Sequence, residues 1–202
     1  MPQIIISRRA LLRGFLTFLV TIAVCMGWTA PVQAIGGTLP EIDRLAPDFT
    51  LPTNTGDGKV SLAGLRGKWV VVYFYPKDFT SGCTLEARRF QQDLPKYLAQ
   101  NTQILGISAD SVDSHAEFCD SEGLKFPLLA DTDGSVSKAY GSWIGYLSMR
   151  HTFIIDPDGI LRDRFVKVNP TAHSAEVLAK LTELQNRSSL SEQSSDIFGS
   201  RS

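Results

Sequence analysis

The chain has 202 residues, a formal charge of −1, and side chains that are 43% apolar and 20% charged. That is enough to bury a proper core and ordinary for a globular protein. No Lys/Arg cluster appears beyond the N-terminus, which argues against a nucleic-acid binder.

Residues 1–34 read as a leader. "SRRALLR" (Ser7 to Arg13) precedes an uncharged apolar run from Gly14 to Trp28, and "APVQA" ends at Ala34. These are a basic n-region, an h-region and a small-x-small cleavage site. The run is shorter than the roughly 20 residues that span a bilayer, so cleavage is expected rather than anchoring. Ser-Arg-Arg-x-Leu-Leu-Arg resembles a twin-arginine signal. It implies export, to the periplasm or, in a photosynthetic organism, the thylakoid lumen. Cys25 follows Val24 rather than a small residue and belongs to the discarded run. The mature chain then carries −4 and two cysteines, Cys83 and Cys119. Residues 35–186 read as one domain, and the Ser-rich stretch 187–202 as a disordered tail.

Short strands are expected near Phe49 and Val60. "KWVVVYFY" (Lys68 to Tyr75) is a continuous β-branched and aromatic run, as in a strand buried on both faces. From Cys83 to about Gln100, Ala87, Phe90, Leu94 and Tyr97 form one helical stripe, with a kink or restart expected at Pro95. "TQILGIS" (Thr102 to Ser108) is the next strand. Val112 to Glu122 is a helix, with Ser114 and Glu117 spaced like a capping box. "RHTFIID" (Arg150 to Asp156) and "ILRDRFVK" (Ile160 to Lys167) are strands joined by a turn at Asp156-Pro157-Asp158-Gly159. A closing helix has Asn169 as cap, Pro170 at its first position, and Val177, Leu178, Leu181 and Leu184 as its buried stripe. This order, β-α-β-α-β-β-α, predicts an α/β thioredoxin-like domain with a mostly parallel sheet and an antiparallel hairpin edge.

Cys83 falls just past a buried strand and at the start of a helix, where open α/β sheets place their sites. The helix N-terminus favours a thiolate over a thiol. Gly82 admits a close backbone approach, Thr80 offers a hydroxyl three residues before the sulfur, and Pro76 stiffens the turn. A Cys-x-x-Cys oxidoreductase is disfavoured, because "TSGCTLE" holds one sulfur.

Pro76-x-x-x-Thr80-x-x-Cys83 resembles the active-site motif of the peroxiredoxins. "FYPKDFTSGCTLEARRF" and "RHTFIIDPDGILRDRF" are similar to the peroxiredoxin Q, or bacterioferritin-comigratory, branch, and the likeness runs from about Leu39 to Leu184. It implies a thiol-dependent peroxidase reducing hydrogen peroxide or alkyl hydroperoxides. Cys83 would be the peroxidatic cysteine, oxidised to a sulfenic acid. Thr80 and the backbone at Gly82 and Cys83 would hold the peroxide, Pro76 would shield the sulfur, and Arg150 would favour the thiolate and bind the peroxide oxygens. Glu86 would fix the arginine. Thiolate stabilisation cannot be the whole mechanism, since a more stable thiolate is a weaker nucleophile. Alignment of the O–O bond and stabilisation of the departing oxygen must add to it.

Cys119 has two readings. With Val112 and Ala116 it falls on one helix face, as a core cysteine would. In the branch it resembles, a resolving cysteine lies either five positions after the peroxidatic one, here Arg88, or in the next helix, where Cys119 is. A Cys83–Cys119 disulfide would need Cα atoms within about 7 Å, so local unwinding is expected. The resemblance further implies a thioredoxin-like reductant, a monomer, and no haem, flavin or metal. His115 and His173 lack ligand partners at metal spacing, and His151 is read as structural. The alternative functions are an exported thiol–disulfide oxidoreductase of the same fold and a peroxide-responsive redox sensor or chaperone-like protein.

Overall fold

In a computed structural model the described residues are 36–55, 58–166 and 168–199, with side chains as far as Leu190. The leader reading and Cys25 lie outside them. In chain order the elements are β1 (Thr50–Pro52), β2 (Lys59–Ser61), a 3-10 turn (Ala63–Leu65), β3 (Trp69–Phe74), α1 (Ser81–Ala99), β4 (Thr102–Ser108), α2 (Val112–Glu122), β5 (Leu128–Ala130), α3 (Ser135–Ala139), β6 (Thr152–Ile155), β7 (Leu161–Phe165) and α4 (His173–Gly199).

All six residues of β3 are buried, as its unbroken apolar run predicts. Period-2 alternation sends them to two cores. Val71, Tyr73 and Tyr75 join one with Ala87, Phe90, Leu94 and Tyr97 of α1, Phe118 and Cys119 of α2, and Val177 and Leu181 of α4. Val70, Val72 and Phe74 face the other, with Phe49, Leu51, Leu62, Tyr140 and Phe153. On β4, Gly106 leaves room for the end of Tyr73: a Cβ there would lie 2.8 Å from its ring and hydroxyl.

The central sheet has the order β5-β4-β3-β6-β7. β5, β4 and β3 are parallel, whereas β3–β6 and β6–β7 are antiparallel. The sheet is therefore half antiparallel, not mostly parallel. The hydrophobic pattern specifies burial but not direction. In the β6–β7 turn, Asp156 Oδ1 accepts from the N–H groups of Asp158 (3.0 Å) and Ile160 (2.8 Å).

Several local expectations are corrected. α1 runs unbroken through Pro95. The cap of α2 is Ser111, whose hydroxyl accepts from Ser114 N–H at 3.2 Å, rather than a box beginning at Ser114. Asn169 does act as a cap, accepting from Thr171 N–H at 3.1 Å, but a turn intervenes before α4 begins at His173. β5 and α3 occupy a stretch in which no element was expected. α4 continues past Asn186 to Gly199, with Arg187 ion-paired to Glu183, across residues read as a tail. No helix among the described residues is long and apolar enough to cross a membrane.

Candidate active site

Cys83 is the third residue of α1 and 1% exposed. Thr80 occupies the N-cap position, with extended backbone, yet makes no capping bond to backbone. Its hydroxyl lies 2.8 Å from Cys83 Sγ and 3.0 Å from the Lys77 carbonyl oxygen. One hydroxyl proton serves one acceptor at a time. An anionic sulfur takes it, whereas a protonated thiol can donate to Thr80 Oγ1 while the hydroxyl turns to Lys77.

Arg150 supplies the second donor, Nη2 at 3.1 Å from Cys83 Sγ. The strand direction explains its presence. β6 runs antiparallel to β3, with Tyr73 opposite Thr152, so the residues entering β6 lie beside the exit from β3. Arg150 is in the bend before β6, two residues ahead of the strand it was expected to open. Buried serines fasten that approach: Ser137 and Ser148 hydroxyls are 2.8 Å apart, and Asp131 accepts from Ser137 N–H and O–H, each at 2.7 Å. A Cβ on Gly82 would sit 2.8 Å from Arg150 Nη2, so a side chain here would push the guanidinium off the sulfur.

Glu86 orients the guanidinium, accepting from Nη1 at 2.6 Å. Its side chain is 1% exposed. Burial raises its carboxyl pKa from 4.5 to about 7, against the opposing charge and hydrogen bond of Arg150. His173 is neutral at pH 7: burial first, then the charge of Arg150, lower its pKa to about 4, and Nε2 meets Thr152 Oγ1 at 2.7 Å. Burial likewise lowers the pKa of His151. Pro76 lies, half-buried, in the bend between β3 and α1. Among the described residues no His/Cys/Asp/Glu group could hold a metal. A cleft of about 660 Å³ opens at the opposite end of β3, beside Trp69 and Asn101, and includes none of these residues.

Residues 42–164 match the AhpC/TSA family. The chain belongs to that family. It is 38% identical over 146 residues to peroxiredoxin Bcp of Xanthomonas campestris, covering 67% of this chain and 91% of that one. The Xanthomonas campestris bacterioferritin comigratory protein, whose structures were used to study its alkyl peroxide reduction activity, superposes with a TM-score of 0.63 at 34% identity, over 67% of this chain and 90% of that one. A cysteine-to-serine mutant of Xylella fastidiosa PrxQ gives 0.68 at 31% identity, over 74% and 99%. This peroxiredoxin thus falls in the Q/Bcp branch, has the thioredoxin-like α/β fold with a mixed sheet, and is a thiol peroxidase.

Cys119 and Cys83 are both free thiols and line the same apolar core. Burial raises the pKa of Cys119, outweighing a hydrogen bond from Asn54, and the charges of Asp78 and Asp120 add to the rise. Arg88, the position a same-helix resolving cysteine would take, instead pairs with Glu122 at the end of α2.

Sequence reasoning missed a buried polar cluster under the turn. Asp78 accepts from Tyr75 O–H (2.7 Å) and Ser114 O–H (2.7 Å) and pairs with His115 Nδ1 (2.9 Å). Burial alone would raise its carboxyl pKa, but the His115 bond and charge and the two hydroxyls hold it below the usual range. Phe79 follows with φ of 59°, a left-handed backbone that strains a non-glycine residue by roughly 1–3 kcal/mol. Asp78 and His115 are 37 residues apart, and no local pattern joins them.

Proposed function

We propose that Cys83 is the peroxidatic cysteine of an exported peroxidase acting on hydrogen peroxide and alkyl hydroperoxides. The convergence of Thr80 Oγ1 (2.8 Å) and Arg150 Nη2 (3.1 Å) on Cys83 Sγ carries this reading. The sulfur, reacting as the thiolate, attacks the nearer peroxide oxygen. The O–O bond breaks, and ROOH, Cys83–S⁻ and a proton become ROH and Cys83–SOH. Thr80 and Arg150 then serve the negative charge that moves from sulfur to the departing oxygen. Cys119 resolves: Cys83–SOH and Cys119–SH give a disulfide and water, and a thioredoxin-like dithiol returns both thiols. Alkyl substrates are supported by the Xanthomonas relative, and export by the leader-like residues 1–34.

The test is hydrogen peroxide and cumene hydroperoxide consumption by residues 35–202 with a thioredoxin system. Turnover that disappears in Cys83→Ser is the expected result. Undiminished turnover in that variant would overturn the assignment.

A further inference from the structure

The turn that presents Thr80 to the sulfur is fastened to the helix that carries Cys119. Asp78 supplies the fastening. Its carboxylate is held by Ser114 and His115 of α2 and by Tyr75, and its own N–H donates to Asp110 Oδ2 at 2.9 Å. Asp110 is itself tied to the end of β4 by Ser108 O–H at 2.7 Å. One residue on, left-handed Phe79 lays its ring edge-on against Phe118 of α2, with centroids 5.2 Å apart. Ser114, His115 and Phe118 therefore hold the turn, and Cys119 is the next residue of the same helix.

We propose that Asp78 is a positioning residue, and that its clasp by Ser114 and His115 makes release of the Cys119 helix and unwinding of the Cys83 turn a single event. The coupling to disulfide formation rests on the resolving role proposed for Cys119. With the clasp closed, Asp78 and Phe118 hold Phe79 in its strained conformation, and the Thr80 hydroxyl stays on the sulfur. That is the form that reacts with peroxide. The disulfide requires Cα atoms within about 7 Å, and both thiols start buried in the core. Movement of α2 toward Cys83 breaks the bonds to Asp78 and the Phe79–Phe118 contact together. Phe79 then leaves the left-handed region, and Thr80 leaves the sulfur. Oxidation of Cys83 and its resolution thus draw on opposite states of one clasp.

The experiment compares His115→Leu with His115→Asn, which keeps a donor where Nδ1 lies. Two rates are read. One is Cys83 oxidation by hydrogen peroxide in a Cys119→Ser background. The other is iodoacetamide labelling of Cys119 in the reduced protein in a Cys83→Ser background. His115→Leu is expected to slow the first and speed the second by about tenfold each, the scale of a lost hydrogen bond to a charged group. His115→Asn should restore both. General destabilisation would not explain a slower oxidation that the asparagine rescues. Labelling and oxidation rates that match the parent in His115→Leu would overturn the proposal. So would equal changes in His115→Leu and His115→Asn. If His115→Leu fails to fold, Ser114→Ala, which removes the other bond from α2 to the same carboxylate, carries the test with an expected change of about tenfold in each rate. Parental rates in that variant overturn the proposal equally. Neither rate needs a disulfide. Absence of a Cys83–Cys119 link in the oxidised parent would count against the resolving role alone.

Discussion

A threonine at a helix N-cap ordinarily accepts from a backbone N–H. Thr80 holds that position and points its hydroxyl at the sulfur three residues on. Thr80→Val keeps the shape and removes the donor. Cys83 oxidation is expected to slow roughly 10²-fold, as when one donor to a developing oxyanion is lost, while Thr80→Ser retains most of the rate. Stopped-flow oxidation of the two variants checks this, and a valine variant within twofold of the parent would contradict it. Glu86 makes a separate claim. Its folded pKa of about 7 exceeds the ordinary 4.5, so the folded state binds that proton more tightly than the unfolded chain. The resulting stabilisation is complete below about pH 4.5 and is lost as pH rises through about 7. His173 acts oppositely, since its lowered pKa of about 4 withdraws stability as pH falls from 6.5. The informative quantity is therefore a difference. Between pH 4.5 and 8, the stability of Glu86→Gln relative to the parent should rise by on the order of 3 kcal/mol. Urea unfolding at four pH values measures it, and a flat difference would show that Glu86 does not titrate in this window.

At the scale of elements, direction decides where the chemistry sits. Parallel β3 and β4 bring the starts of α1 and α2 to one end of the sheet, and antiparallel β6 brings Arg150 to the same end. The Cys83 turn and the arginine strand were legible from motif and residue pattern. The direction of β6 relative to β3 was not, because side-chain alternation looks the same either way. β5 and α3 escaped notice for a simpler reason. Three strand residues and five helical ones are too few to establish a period. The α1 stripe, by contrast, was readable, and every residue named in it is buried. Phe90 anchors it, fully buried and stacked on Tyr73 at 4.7 Å. Phe90→Ala should destabilise the fold by about 3–5 kcal/mol in equilibrium urea unfolding. A loss below about 1 kcal/mol would mean that the core refills around it.

For the molecule as a whole, one sheet divides two apolar cores, and both cysteines belong to the core beneath α1, α2 and α4. Sequence spacing showed that Cys119 could fill a helix face, and the resemblance to the peroxiredoxin Q branch implied that it could also resolve. The fold keeps both readings physically connected, because a thiol buried in the same core as Cys83 must become accessible before it can react. The coupling of the turn to α2 through Asp78 and His115 was not legible. It is a contact between residues 37 apart that only the folded chain brings together. The central claim is that peroxide oxidises Cys83 and that Cys119 captures the product. One equivalent of hydrogen peroxide added to residues 35–202, followed by intact mass and non-reducing peptide mapping, tests it most directly. The account requires loss of two hydrogens and a linked Cys83–Cys119 peptide. A gain of one oxygen at Cys83 alone would contradict the resolving role of Cys119, and an unchanged mass after seconds would contradict the peroxidatic role of Cys83.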